Sequence, residues 1–172
     1  MARVMASSIP PPLIFIFASQ GPQHISMGKR LFHAYHTFRR TVLEMDAIYK
    51  SLVGVPLVES TSLFRESPTK IPEGILTVEI TLPVLTIVQI ALYGVLVSVE
   101  ANRRALIGHS ADETASIYAS GVGSKTMALD ISISRIRSMK FVEDAANRWH
   151  GRPWLWPQRH DLSHPAGENQ EE

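Results

Sequence analysis

Ile107-Gly108-His109-Ser110-Ala111-Asp112-Glu113 is the stretch on which the reading of the fold turns. The apolar run Ala105-Leu106-Ile107 reads as a short strand that ends at Gly108, and a helix is predicted to open after Ser110. A strand that feeds Gly-x-Ser and then a helix is the pattern of a nucleophile elbow. There a sharp turn lifts the serine hydroxyl above the sheet, and glycines two before and two after the serine relieve crowding. Here the first is Gly108, but the second position holds Asp112. The triplet alone carries little weight, since a Gly-x-Ser occurs about once by chance in a chain of this length. A competing local reading makes Ser110 a helix N-cap, with Glu113 three residues on completing a capping box. The surroundings must decide.

Upstream, Leu13-Ile14-Phe15-Ile16-Phe17-Ala18 is aromatic and aliphatic throughout and reads as a buried parallel strand. It follows Pro10-Pro11-Pro12 and is too short for a secretory h-region, so no signal peptide is expected. A loop, Ser19 to Gln23, comes next. Phe38, Val42, Met45, Tyr49 and Leu52 recur at helical spacing and predict a helix over 31–52, with Gly54 as its stop. Pro56, Pro68 and Pro72 argue for turns between 55 and 78. Ile80 to Val99 carries no charge and has the length of a membrane span. The alternative is a wholly buried helix over 83–99, with Pro83 in its first turn. A further helix is predicted over 124–139. From about residue 145 the chain reads as poorly ordered, with Trp149, Trp154 and Trp156 among glycine and prolines. Strands alternating with helices predict an α/β fold with a parallel sheet.

Composition bounds the chemistry. The chain has 172 residues, 45% hydrophobic and 19% charged, which is globular and excludes wholesale disorder. Lys plus Arg number 17 against 16 for Asp plus Glu, so no field draws the chain to nucleic acid or an anionic membrane. Without cysteine there are no disulfides, no thiolate metal sites and no thiol nucleophile. His33 and His36 lack a nearby carboxylate to complete a metal site, and none is expected.

Beyond the elbow, several stretches fall in a telling order. Phe15-Ile16-Phe17 leads to Gln20-Gly21-Pro22-Gln23 and Met27-Gly28. Pro83 to Leu92, with Gln89, precedes the elbow. Gly108-His109-Ser110, Glu113 and Tyr118-Ala119-Ser120-Gly121 follow, then Ser124-Lys125-Thr126 and Arg135. Over residues 13 to 139 the chain resembles the acyltransferase domains of polyketide and fatty acid synthases, the malonyl-CoA:acyl-carrier-protein transacylase family. The resemblance implies an α/β fold, a partial hydrolase-like three-layer domain with a short parallel sheet and a nucleophile elbow. It divides the chain into an extension over 1–12, part of the large subdomain over 13–140 and a divergent tail over 141–172.

The resemblance also implies roles. Ser110 is the nucleophile that takes the acyl group from coenzyme A as an ester, with His109 beside it. The backbone N–H groups of Gln20 and Ala111 form the oxyanion hole, donors worth about 2.7 to 4 kcal/mol each when pre-aimed. Arg135 grips the free carboxylate of a malonyl group, a task suited to the guanidinium fork. No cofactor is bound; acyl-CoA is the substrate. The partners are an acyl carrier protein or the rest of a synthase, in the cytoplasm, with no nucleic acid and no membrane. Departures from the family pattern are Asp112 and Ser19 for glycine, Leu82 for glutamine and Ile136 for glycine. The family's general-base histidine, which lies far downstream, has no counterpart in a matching motif; His150, His160 and His164 fall in the tail. A serine without a base is a weak nucleophile. The expectation is therefore a domain fragment with weak activity or none alone. The alternatives are a non-catalytic pseudo-enzyme fragment and a serine acyl hydrolase.

Overall fold

Apolar residues at spacings of three and four build the helices around which this chain packs. Its structure, a computed structural model, describes residues 13–17, 24, 26–64, 77–101, 103–110 and 113–150. The elements are β1 (Leu13–Phe17), α1 (Lys29–Ala34), α2 (His36–Val53), α3 (Leu57–Thr61), α4 (Val78–Ser98), β2 (Arg103–Gly108), α5 (Glu113–Ala119) and α6 (Lys125–His150). The chain divides into two units, Met1–Ile136 and Arg137–Glu172; the described part of the second is the helical stretch 137–150.

The helix predicted over 31–52 is two helices. Tyr35 breaks it with an extended backbone (φ −116°, ψ 113°), and the Arg39 guanidinium reaches the carbonyls of Phe32 and His33 across the break. In α2 the predicted apolar positions Phe38, Val42, Met45 and Tyr49 are buried, and Gly54 ends the helix in the left-handed region, where glycine has no Cβ to clash.

The uncharged segment is a core helix of this fold. Every residue from Thr81 to Val88 on α4 is buried, and α4 packs along α2. Several of its polar side chains find partners within the chain, while the buried Thr81 hydroxyl has none among the described residues. Thr86 donates to the Leu82 carbonyl and shares a 3.0 Å hydrogen bond with Thr114 of α5. The Tyr93 hydroxyl donates to the Ala119 carbonyl, which also accepts from Arg103. Those two donors satisfy a carbonyl at the C-terminal end of α5, which has no partner inside its own helix. The helix opens at Val78, so Pro83 lies in its second turn instead of the first. The proline ring removes one intrahelical donor there, which tends to bend a helix.

A long-range cap joins α2 to α3. Asp46 Oδ1 accepts from the backbone N–H groups of Leu57 (2.7 Å) and Val58 (3.0 Å) at the start of α3. Pro56, the residue before them, has no side-chain oxygen to do this. Burial raises the Tyr49 phenol above its usual pKa, and the Asp46 carboxylate adds to the shift. Asp46→Ala is expected to lower stability by about 0.5–2 kcal/mol, the worth of a helix cap, as read from a denaturation midpoint. An unchanged midpoint would show the cap to be dispensable.

The two strands pair in parallel, with Phe15 opposite Leu106, Ile16 opposite Ile107 and Phe17 opposite Gly108. The expected buried strand is corrected here. Side chains alternate between faces, and helices cover one face only among the described residues. Phe15 meets Tyr93 edge-on and Phe17 enters the core. On the opposite face Ile14, Ile16 and Ile107 are 55%, 70% and 49% exposed. Parallel sheets are ordinarily covered on both faces, so this apolar face is unsatisfied within the described residues. Finally, α6 continues well beyond residue 139, through the start of the stretch expected to be poorly ordered; residues 151–172 of that stretch lie outside the described ones.

Candidate active site

Phe17 and Gly108 are partners at the ends of β1 and β2, so both strands finish at the same edge of the sheet. In α/β sheets that carboxyl edge is where sites are built. Ser110 stands two residues beyond β2 with φ +59°, in the left-handed region, and α5 begins at Glu113. A non-glycine residue there costs about 1–2 kcal/mol. Ser62, Phe64 and Glu100 also have positive φ, so the angle alone marks nothing. Its combination with a strand end, a helix start and an exposed serine is the geometry of an elbow.

The capping-box reading is displaced by the same facts. An N-cap residue has an extended backbone and directly precedes the helix. Ser110 is left-handed, and the described part of the following helix, α5, begins at Glu113. The Ser110 hydroxyl makes no hydrogen bond among the described residues, and the residue is exposed. His109 follows β2 directly and is exposed as well. The expected oxyanion donors Gln20 and Ala111, and Asp112, lie outside the described residues.

Arg135 does reach the elbow. On α6 the residues Ala128, Leu129, Ser132, Ile133 and Ile136 are buried, which fixes the helix and carries Arg135 on its flank. The Arg135 guanidinium donates through Nη1 to the Ser110 carbonyl at 2.9 Å. The same nitrogen lies 3.8 Å from Glu113 Oε2, a partly exposed pair worth little by itself. Charge at the turn is thus arranged by a helix whose sequence position is distant from it. Glu113 entered the sequence reading as a cap partner and as part of the family pattern; its charge opposite Arg135 becomes visible through packing. No group of three or more metal-ligating side chains occurs among the described residues. An apolar groove of about 500 Å³ between β1 and α4, lined by Phe15, Phe17, Leu85, Gln89 and Tyr93, does not include Ser110.

Known proteins resemble this chain over most of its length. The acyl transferase domain family matches residues 14–149. The chain is 37% identical over 135 residues to the highly reducing polyketide synthase stpks1 of Strobilurus tenacellus, which covers 77% of this chain and 5% of that synthase. Among solved structures, the acyl transferase domain of ZmaA superposes with a TM-score of 0.66 at 25% identity, over 73% of this chain and 29% of that one. The acyl transferase domain of SpnD, in complex with 2-(pent-4-yn-1-yl)malonyl, gives 0.63 at 28% identity, over 76% and 30%. The chain therefore spans about a twentieth of that synthase and under a third of those solved chains. Matching most of its length in both sequence and fold, the chain belongs to the acyl transferase domain family as that family occurs in polyketide synthases.

Proposed function

We propose that Ser110 accepts a malonyl-type acyl group from coenzyme A and passes it to an acyl carrier protein. The left-handed turn that presents an exposed Ser110 between β2 and α5 carries this reading. In the first step Ser110 Oγ attacks the thioester carbonyl. The carbon–sulfur bond breaks, an ester forms on Oγ, and the hydroxyl proton leaves with the coenzyme A thiol. In the second step a carrier thiol reverses the exchange. The N–H groups of Gln20 and Ala111 hold the oxyanion in both steps. Arg135 attracts the free carboxylate: Nη2 and Nε make no bond to a described residue, and a guanidinium can pair two nitrogens with a carboxylate. The 2-(pent-4-yn-1-yl)malonyl in complex with the related SpnD domain supports a malonyl-type acyl group.

Slow turnover by this chain belongs to the same proposal. No base bonds its serine hydroxyl among the described residues, and a serine without a base is a weak nucleophile. The test is intact-mass measurement after incubation with malonyl-CoA or acetyl-CoA. One adduct on Ser110, forming slowly, faster from malonyl-CoA and discharged by carrier protein, is expected. Discharge by water at the same rate would favour a hydrolase. Saturable binding of the ester without an adduct would leave only a non-catalytic role. Arg135→Ala is expected to slow malonyl loading more than acetyl loading; equal slowing would remove the carboxylate role.

A further inference from the structure

We propose that Arg135 is also a positioning residue, one that sets the nucleophile turn by holding the Ser110 carbonyl, whatever the acyl group. The proposal rests on the reading of Ser110 given above. Three observations carry it. Ser110 has the strained left-handed backbone, which persists only where the surroundings over-determine it. Its carbonyl accepts a 2.9 Å charge-assisted bond from a helix 25 residues away in sequence, so the restraint comes from the packed body of the fold and not from the turn. Glu113, the first residue of α5, draws the same Nη1 from the other end of the turn. The hydrogen bond to Ser110 is the strong restraint, and the 3.8 Å approach of Glu113 adds only a weak attraction.

The consequence follows from covalent geometry. The Ser110 carbonyl and the next N–H belong to one planar peptide unit, so fixing the first fixes the direction of the second. That N–H is the donor the proposed mechanism uses for the oxyanion. A cation on the carbonyl also polarises the peptide and strengthens the N–H as a donor. Arg135 therefore acts on the reacting carbonyl through the peptide, in addition to any grip on a substrate carboxylate. The two roles draw on different donors: Nη1 serves the Ser110 carbonyl, while Nη2 and Nε bond to no described residue.

The two roles separate experimentally on the full chain. Arg135→Met keeps the apolar stem and removes the donors; Arg135→Lys returns one donor without the fork. Amide hydrogen exchange is measured across residues 108 to 114 and, for reference, along α2 and α4. The expected result is exchange at the turn at least tenfold faster in R135M, partly restored in R135K, with α2 and α4 unchanged. Acetyl-CoA carries no carboxylate, so its loading of Ser110 should also fall about tenfold in R135M and recover in part in R135K. Turn exchange equal to that of the parent chain, or a uniform rise along α2 and α4, would overturn the positioning role. If neither ester loads the parent chain, the acyl-transfer reading fails. The exchange result still decides whether Arg135 sets the turn.

Discussion

Ser110→Ala is expected to abolish the malonyl adduct while leaving the fold intact. In a complete serine triad, loss of the nucleophile costs on the order of a million-fold in turnover. From the slow rate proposed for this chain, the variant should fall below detection by intact mass. The structure makes the substitution unusually clean. The Ser110 hydroxyl bonds to no described residue, and the backbone carbonyl held by Arg135 is kept. Stability should therefore stay within about 0.5 kcal/mol of the parent chain, as for surface changes away from special features. Ser110→Gly sharpens the point. Relief of left-handed strain, less the entropy glycine adds to the unfolded chain, should raise stability by about 0.5–1 kcal/mol while the adduct is lost. A strained serine whose replacement stabilises is the mark of a site kept for function. An adduct that survives in S110A, seen after peptide mapping on another residue, would remove Ser110 from the mechanism.

Phe38→Ala is expected to have the largest effect on stability, about 3–5 kcal/mol. Phe38 is wholly buried on α2 and meets Phe64 edge-on, with ring centroids 6.5 Å apart. Gly28, at φ +74°, closes the other side: a Cβ there would stand 3.0 Å from the Phe38 ring. Removing the ring opens a cavity that α1, α2 and the turn after α3 cannot close without breaking those contacts. Such a loss is a large share of the 5–15 kcal/mol that holds a typical domain together. Denaturant titration should show it as a lower midpoint with the slope retained. A cost under about 1 kcal/mol would mean that α2 does not pack as described. Phe38→Leu, which refills most of the volume, should recover much of the loss.

Much of this molecule was legible before any coordinates. The apolar spacing of Phe38, Val42, Met45 and Tyr49 announced the buried face of α2, because a helix repeats its faces every three or four residues. Gly54 announced the end of α2 and Ala105-Leu106-Ile107 the strand before the elbow, because their signals are local. Three readings were not recoverable that way. Tyr35 carries no breaker chemistry, yet its extended backbone divides the predicted helix. Glu113 looked like a cap partner of Ser110, and the left-handed backbone of Ser110 does not fit that pairing. The strand Leu13 to Phe17 looked buried on both faces, since apolar composition states a need for cover and not its fulfilment.

Sequence alone thus determined the two strands, the core face of α2, the apolar character of α4 and the serine between strand and helix. Those properties follow from residue type and from periods of two to four residues. Tertiary structure decided that Asp46 caps α3, that Thr86 meets Thr114 and that Arg135 holds the Ser110 carbonyl. Each of those contacts joins residues brought together by packing between elements. No local pattern encodes such a pairing, because its partners meet only once the hydrophobic faces of α2, α4 and α6 are buried.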